Sequence, residues 1–204
     1  MDVDSTLIQD EVIELLADEA GVREVVAEIT DRAMRGEIDF EQSLRERVSM
    51  LKGLPESVFG RVQERIRLSE GATTLISAVH ASGGRVGAVS GGFSQILTPL
   101  ASMLNLDYHA ANELEVVDGL LTGKILGEVI DRAAKAQKLE LWAKDFGVGT
   151  ELVAAIGDGA NDLDMFEAAG LSFAYNAKPA VREKADVTID EPDLRLVIPH
   201  LGLK

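Results

Sequence analysis

The chain has 204 residues, 46% of them apolar, no cysteine and a formal charge of −15. The apolar share and a mean hydropathy of +0.08 exclude a disordered chain. The lack of cysteine excludes a disulfide scaffold, a thiolate metal site and a cysteine nucleophile. No apolar run reaches the roughly 18 residues that span a bilayer, the first residues do not read as a cationic signal sequence, and the excess of acid argues against nucleic-acid binding. A soluble, cytoplasmic protein, monomeric or homodimeric, is the expectation.

In chain order, residues 7–69 read as helix: 7–20, 22–35, 40–52 and 55–68, divided at Gly21, Gly36 and Gly53. Pro55 suits the first turn of the last of these. From residue 71 onward, short β-branched runs alternate with helical stretches. Strands are expected at 85–90, 152–157, 171–175 and 186–189, and helices at 72–81, 93–104, 131–146, 163–169 and 179–184. That alternation predicts an α/β core whose parallel sheet is covered on both faces. Asp118-Gly119 and Thr122-Gly123 predict a β-hairpin within 108–125. The organisation expected is a core formed by residues 1–6 and 70–204, carrying an all-helical insertion at 7–69.

In open parallel sheets, ligands sit beyond the carboxyl ends of the strands, and three polar clusters fall there. In Asp2-Val3-Asp4-Ser5-Thr6, extended backbone points Asp2 and Asp4 the same way, so they can share a site; the cluster also reads as a helix cap. Ser90-Gly91-Gly92 follows a strand and opens a helix, where backbone N–H groups can meet an anion. Its copy Ser82-Gly83-Gly84 follows a helix and reads as a C-cap. Residues 157–164, Gly-Asp-Gly-Ala-Asn-Asp-Leu-Asp, place oxygen ligands suited to Mg²⁺ at a strand end, and equally read as a glycine turn with Asp162 capping a helix. Two cations lie on apolar helical stripes: Lys135 with Leu139, Trp142 and Phe146, and Arg47 with Phe40, Leu44, Val48 and Leu51. Each is either a snorkelling stem or a charge awaiting an anion. His80, His109 and His200 are scattered and match no motif.

Together and in order, these motifs resemble those of the haloacid dehalogenase-like phosphohydrolases. Asp2-Val3-Asp4-Ser5-Thr6 is similar to the first motif of that family, Ser90 to the second, Lys135 to the third, and residues 157–162 to the fourth. Glu11 and the stretch 43–48 narrow the resemblance to the group acting on phosphoserine. The resemblance implies hydrolysis of O-phospho-L-serine through an aspartyl-phosphate on Asp2, the last step of serine biosynthesis, with Asp4 as acid and base. It implies Mg²⁺ held by Asp2, Asp158 and the Asp4 carbonyl, supported by Asp162 and Asn161. Lys135, Ser90 and Gly91 would hold the phosphoryl group, Glu11 the substrate ammonium and Arg47 its carboxylate, between Met34 and Phe40. Rival readings are a related phosphatase or phosphotransferase on another small ester, and an inactive binding homologue. The family places a central strand ahead of the first motif, and here that motif begins at residue 2. The expectation is an upstream apolar, β-branched segment in the natural protein, and poor stability and weak activity in the 204-residue form.

Overall fold

The computed structural model describes residues 1–35 and 37–203, with Met34 described in its backbone alone. The expected break at Gly36 lies outside the described residues. Short runs of small and β-branched residues build two half-sheets. In one, β1 (Gly87–Phe93) pairs parallel with β2 (Tyr108–Val117), which turns at Asp118-Gly119 into antiparallel β3 (Leu120–Leu126). In the other, β4 (Ala154–Gly157), β5 (Leu171–Tyr175) and β6 (Val187–Ile189) run parallel. Residues 1–3 lie between β1 and β4. The Val89 amide donates to the Met1 carbonyl at 3.0 Å, and the Asp2 amide donates to Ile156 at 2.9 Å. An apolar cavity of about 330 Å³ lies beside Met1, lined by Val86, Gly87, Val89, Leu139, Trp142 and Ile156 among others.

Helices cover both faces. On one, α5 (Ala72–Ala81), α6 (Ser94–Leu104) and a 3₁₀ helix (Leu194–Leu201) bury Leu75, Ile96 and Val197 in one cluster with Phe173 and Ile189. On the other, α7 (Arg132–Phe146), α8 (Leu163–Ala168) and α9 (Pro179–Arg182) bury Leu139, Met165 and Val181 against Val89, Ala155 and Ala174. This two-sided burial is why the strands read as unbroken apolar runs. The helical stretch forms α1 (Val12–Ala20), α2 (Arg23–Met34), α3 (Phe40–Ser49) and α4 (Val58–Arg65). Their Leu16, Val48 and Val62 join the same cluster as Phe173.

The structure corrects several expectations. The first helix begins at Val12, because Leu7 and Ile8 are drawn into an extended crossing where Ile8 bridges Leu68. Pro55 is not in a first helical turn; it bridges Leu120 at the hairpin tip. Ser90-Gly91-Gly92 does not open a helix, since β1 runs on to Phe93 with its register broken between Val89 and Phe93, and α6 starts at Ser94. Phe40 and Phe146 are partly exposed despite their apolar stripes. The control copy behaves as read: α5 ends at Ala81 with Ser82 as its C-cap, and Gly83 takes φ +83°.

Candidate active site

Asp131 caps α7, its carboxylate accepting from the Ala134 amide at 2.8 Å, and this sets Lys135 one turn into the helix on its buried side. Lys135 is 1% exposed. A buried ammonium is tolerated only when paired, and Lys135 Nζ donates to Asp2 Oδ1 at 2.6 Å and to Asp162 Oδ1 at 2.8 Å. Burial works to lower its pKa, but Asp2 and Asp162 outweigh burial and raise it, so the ammonium stays charged. The snorkelling alternative for Lys135 is thereby excluded.

Carboxylate oxygens of Asp2, Asp158 and Asp162 lie within 4.8 Å of one another. Burial first, and then the charges of Asp2 and Asp162, push Asp158 up to about 7. Burial and Asp2 push Asp162 up to about 6. Three crowded carboxylates against one ammonium form an all-oxygen donor set, which fits a hard divalent cation. Gly157 permits the crowding, because a Cβ there would stand 2.3 Å from Asp162 Oδ2. Thr6, fully buried, donates to Asp158 Oδ1 at 3.4 Å. Asn161 is half-buried in the 3₁₀ turn Ala160–Asp162.

Asp4 serves both readings of its cluster. Its Oδ1 accepts from the Val12 amide at 2.7 Å, which caps α1, and its Oδ2 accepts from Ser90 Oγ at 2.8 Å. Ser90 Oγ in turn accepts from the Gly92 amide at 2.7 Å. Burial, with Asp2 adding to it, raises the Asp4 carboxyl against the pull of those two donors. One ionised and one proton-holding carboxyl in adjacent positions can divide nucleophilic and acid–base work.

The helical layer faces this cluster. A Cβ on Gly91 would lie 3.1 Å from Phe40 Cζ, so the ring closes directly over the Ser90–Gly91 bend. Glu11 accepts from Ser5 Oγ at 2.6 Å. Glu11 is itself solvent-accessible, so burial raises its carboxyl only through the protein mass around the cleft, with Asp4 next. Arg47 is half-buried and donates from Nε to the Ser43 carbonyl at 3.2 Å. Burial lowers its pKa, and among the described residues no carboxylate lies within ion-pair distance of it. The Met34 side chain lies outside the described residues. The histidines stand elsewhere: His80 on Asp107, His109 on Thr98 and His200 against Phe173. Asn112, buried behind Gly91, was not singled out by sequence, where a lone Asn in a strand carries no signal.

Residues 1–167 match the family model described as haloacid dehalogenase-like hydrolase. The chain belongs to this family. Within the haloacid dehalogenase-like hydrolases, it is 53% identical over 201 residues to a phosphoserine phosphatase of Streptococcus thermophilus, spanning 98% of this chain and 94% of the relative. It is 55% identical over 203 residues to a phosphoserine phosphatase of Streptomyces coelicolor, covering this whole chain but half of that one. A solved structure described as a phospho-aspartyl intermediate analogue of phosphoserine phosphatase superposes with a TM-score of 0.92 at 46% identity, over 98% of this chain and 96% of that one.

Proposed function

We propose that this hydrolase is a phosphoserine phosphatase, converting O-phospho-L-serine to L-serine and phosphate, as the last step of serine biosynthesis. The observation that carries the reading is the buried Asp2–Lys135–Asp162 set with Asp4 held beneath Ser90. The names of the relatives above 50% identity support the choice of substrate.

The Asp2 carboxylate attacks phosphorus, forming an acyl-phosphate bond as the bond to the serine oxygen breaks. Asp4, whose carboxyl is raised, delivers a proton to that oxygen. The Asp4 carboxylate then takes a proton from the water that attacks the same phosphorus, releasing phosphate and restoring Asp2. Lys135 offsets charge on the transferring group, and the Ser90 hydroxyl and Gly91 amide hold its oxygens. Asp2, Asp158 and the Asp4 carbonyl would hold Mg²⁺, with Asp162 and Asn161 in support. When bound, that ion relieves the repulsion between a carboxylate and a phosphate dianion.

Residues 7–69 form the cap over this site, in which Glu11 takes the substrate ammonium, Arg47 its carboxylate, and Phe40 supplies an apolar wall. Arg47 suits that role because it is half-buried with no carboxylate partner among the described residues. Phosphate release from L-phosphoserine, phosphothreonine, phosphoethanolamine and sugar phosphates, with and without Mg²⁺, tests the reading. L-phosphoserine is expected to lead in kcat/KM by at least about tenfold, a difference of ~1.4 kcal/mol in the barrier, and a chelator to abolish turnover. Equal turnover of phosphoethanolamine would instead mark a phosphatase of general small esters.

A further inference from the structure

β2 carries none of the residues assigned above, yet Asn112 on it is only 1% exposed. A buried amide side chain destabilises the fold unless its donor and acceptor are both used. Asn112 spends them on two separate segments. Its Nδ2 donates to the Gly91 carbonyl at 2.9 Å, and its Oδ1 accepts from the Ile130 amide at 2.7 Å. Gly91 follows Ser90, whose hydroxyl holds Asp4. Ile130 precedes Asp131, whose carboxylate caps α7 and whose carbonyl accepts from the Lys135 amide at 3.0 Å. The strand ladder does not fix this spacing, because the β1–β2 register is broken between Val89 and Phe93 and Gly91 sits in the break. One buried side chain therefore ties the Ser90–Gly91 bend to the start of the helix that delivers Lys135.

We propose that Asn112 is a positioning residue that sets the separation between the Ser90–Gly91 bend and Lys135, and so the fit of the site to a transferring phosphoryl group; this rests on the phosphatase reading above. Asn112 touches no reacting atom and acts only through its two backbone partners. A plain structural role, filling the hydrogen-bonding needs of a broken ladder, is the competing account. The two differ in whether catalysis falls further than stability does.

The experiment compares the wild type with Asn112→Ala, Asn112→Asp and Leu114→Ala, the last removing buried bulk from the same strand. L-phosphoserine and p-nitrophenyl phosphate are the substrates, inorganic phosphate is the inhibitor, and thermal unfolding is followed in parallel. Asn112→Ala is expected to lower kcat on both esters by roughly 10–100-fold, the scale of an ångström-sized misplacement, and to weaken inhibition by phosphate. Leu114→Ala, at an equal or larger loss of Tm, is expected to keep kcat within about twofold. Asn112→Asp gives a pH signature. Once protonated, its carboxyl can again donate to Gly91, so its kcat relative to wild type rises as pH falls, while that of Asn112→Ala stays flat. The proposal is overturned if Asn112→Ala keeps kcat within about twofold, or if Leu114→Ala loses as much. Wild type active on p-nitrophenyl phosphate but not on phosphoserine defeats the substrate assignment and leaves this comparison standing. If the wild type cleaves neither ester, the phosphatase reading fails, and calorimetry with inorganic phosphate decides: equal affinity in wild type and Asn112→Ala overturns the role of Asn112.

Discussion

Lys135 holds together two carboxylates that would otherwise face each other in a buried site, so replacing it is expected to act on stability and chemistry at once. Lys135→Ala leaves Asp2 and Asp162 unpaired, a destabilisation of ~3–5 kcal/mol. Added Mg²⁺ is expected to restore part of the lost Tm, while the chemical rate stays low because charge near the phosphoryl group is gone. Asp158→Asn is expected to raise the Mg²⁺ concentration needed for half-maximal activity, since it removes a charged donor; an unchanged requirement would take Asp158 out of the ion's ligand set. Arg47→Ala is expected to lower kcat/KM on phosphoserine by roughly 30-fold, for a lost charge-assisted contact of about 2 kcal/mol, with phosphoethanolamine little affected. Equal losses on both esters would make Arg47 structural. At this scale the site was legible because burial of a cation announces itself: Lys135 is the one charge on its helical stripe. Asn112 announces nothing, because a neutral side chain fits many environments and its role depends on partners far along the chain.

Between elements, backbone contacts close the two ends of the helical layer on each other and join that layer to the hairpin. At the crossing, Ile8 bridges Leu68, the Gln9 amide donates to Arg67 and the Ser69 amide to Leu7. At the hairpin tip, the Gly53 amide donates to Leu121, that of Leu121 to Leu54, and that of Glu56 to Gly119. Both ties override local propensity, which is why the first and fourth helices are shorter than their apolar periodicity suggested. Asp10 clasps the crossing by accepting from the Arg67 amide at 2.8 Å and its guanidinium at 2.7 Å. Burial works to raise the Asp10 carboxyl, but Arg67 prevails and holds it below the usual carboxylate range. A depressed carboxyl stabilises the fold above its unfolded pKa and loses that contribution as pH falls through its folded one. Asp10→Asn is therefore expected to cost ~1–2 kcal/mol near pH 7, and the gap to wild type to close below pH 4. Urea unfolding at neutral and acid pH measures it, and a gap independent of pH would remove the ion pair as its cause.

Across the whole molecule, strand–helix alternation made the two-faced sheet and its hairpin readable, because apolar runs and Asp-Gly turns are local signals. The division into half-sheets is not local. It follows from which backbone lies between β1 and β4, where residues 1–3 bond to both sides and the cavity of about 330 Å³ opens beside Met1. Extending the chain upstream of Met1 by about five apolar, β-branched residues, a common strand length, is expected to stabilise it. Each apolar side chain of such a segment that becomes buried is worth roughly 1.5–3 kcal/mol. Ordering five residues costs about 5–10 kcal/mol, so the new ladder hydrogen bonds, ~0.5–1.5 kcal/mol each, decide the sign. A net gain of ~2 kcal/mol corresponds to a Tm rise of roughly 4–8 °C. Because Asp2 follows directly, a firmer backbone there is also expected to raise kcat by holding Asp2, the proposed nucleophile, in line. A Gly/Ser extension of equal length serves as the control, since it supplies the peptide groups without the side chains. If both extensions leave Tm and kcat where they were, the cavity does not accept a strand and residues 1–3 complete the sheet by themselves.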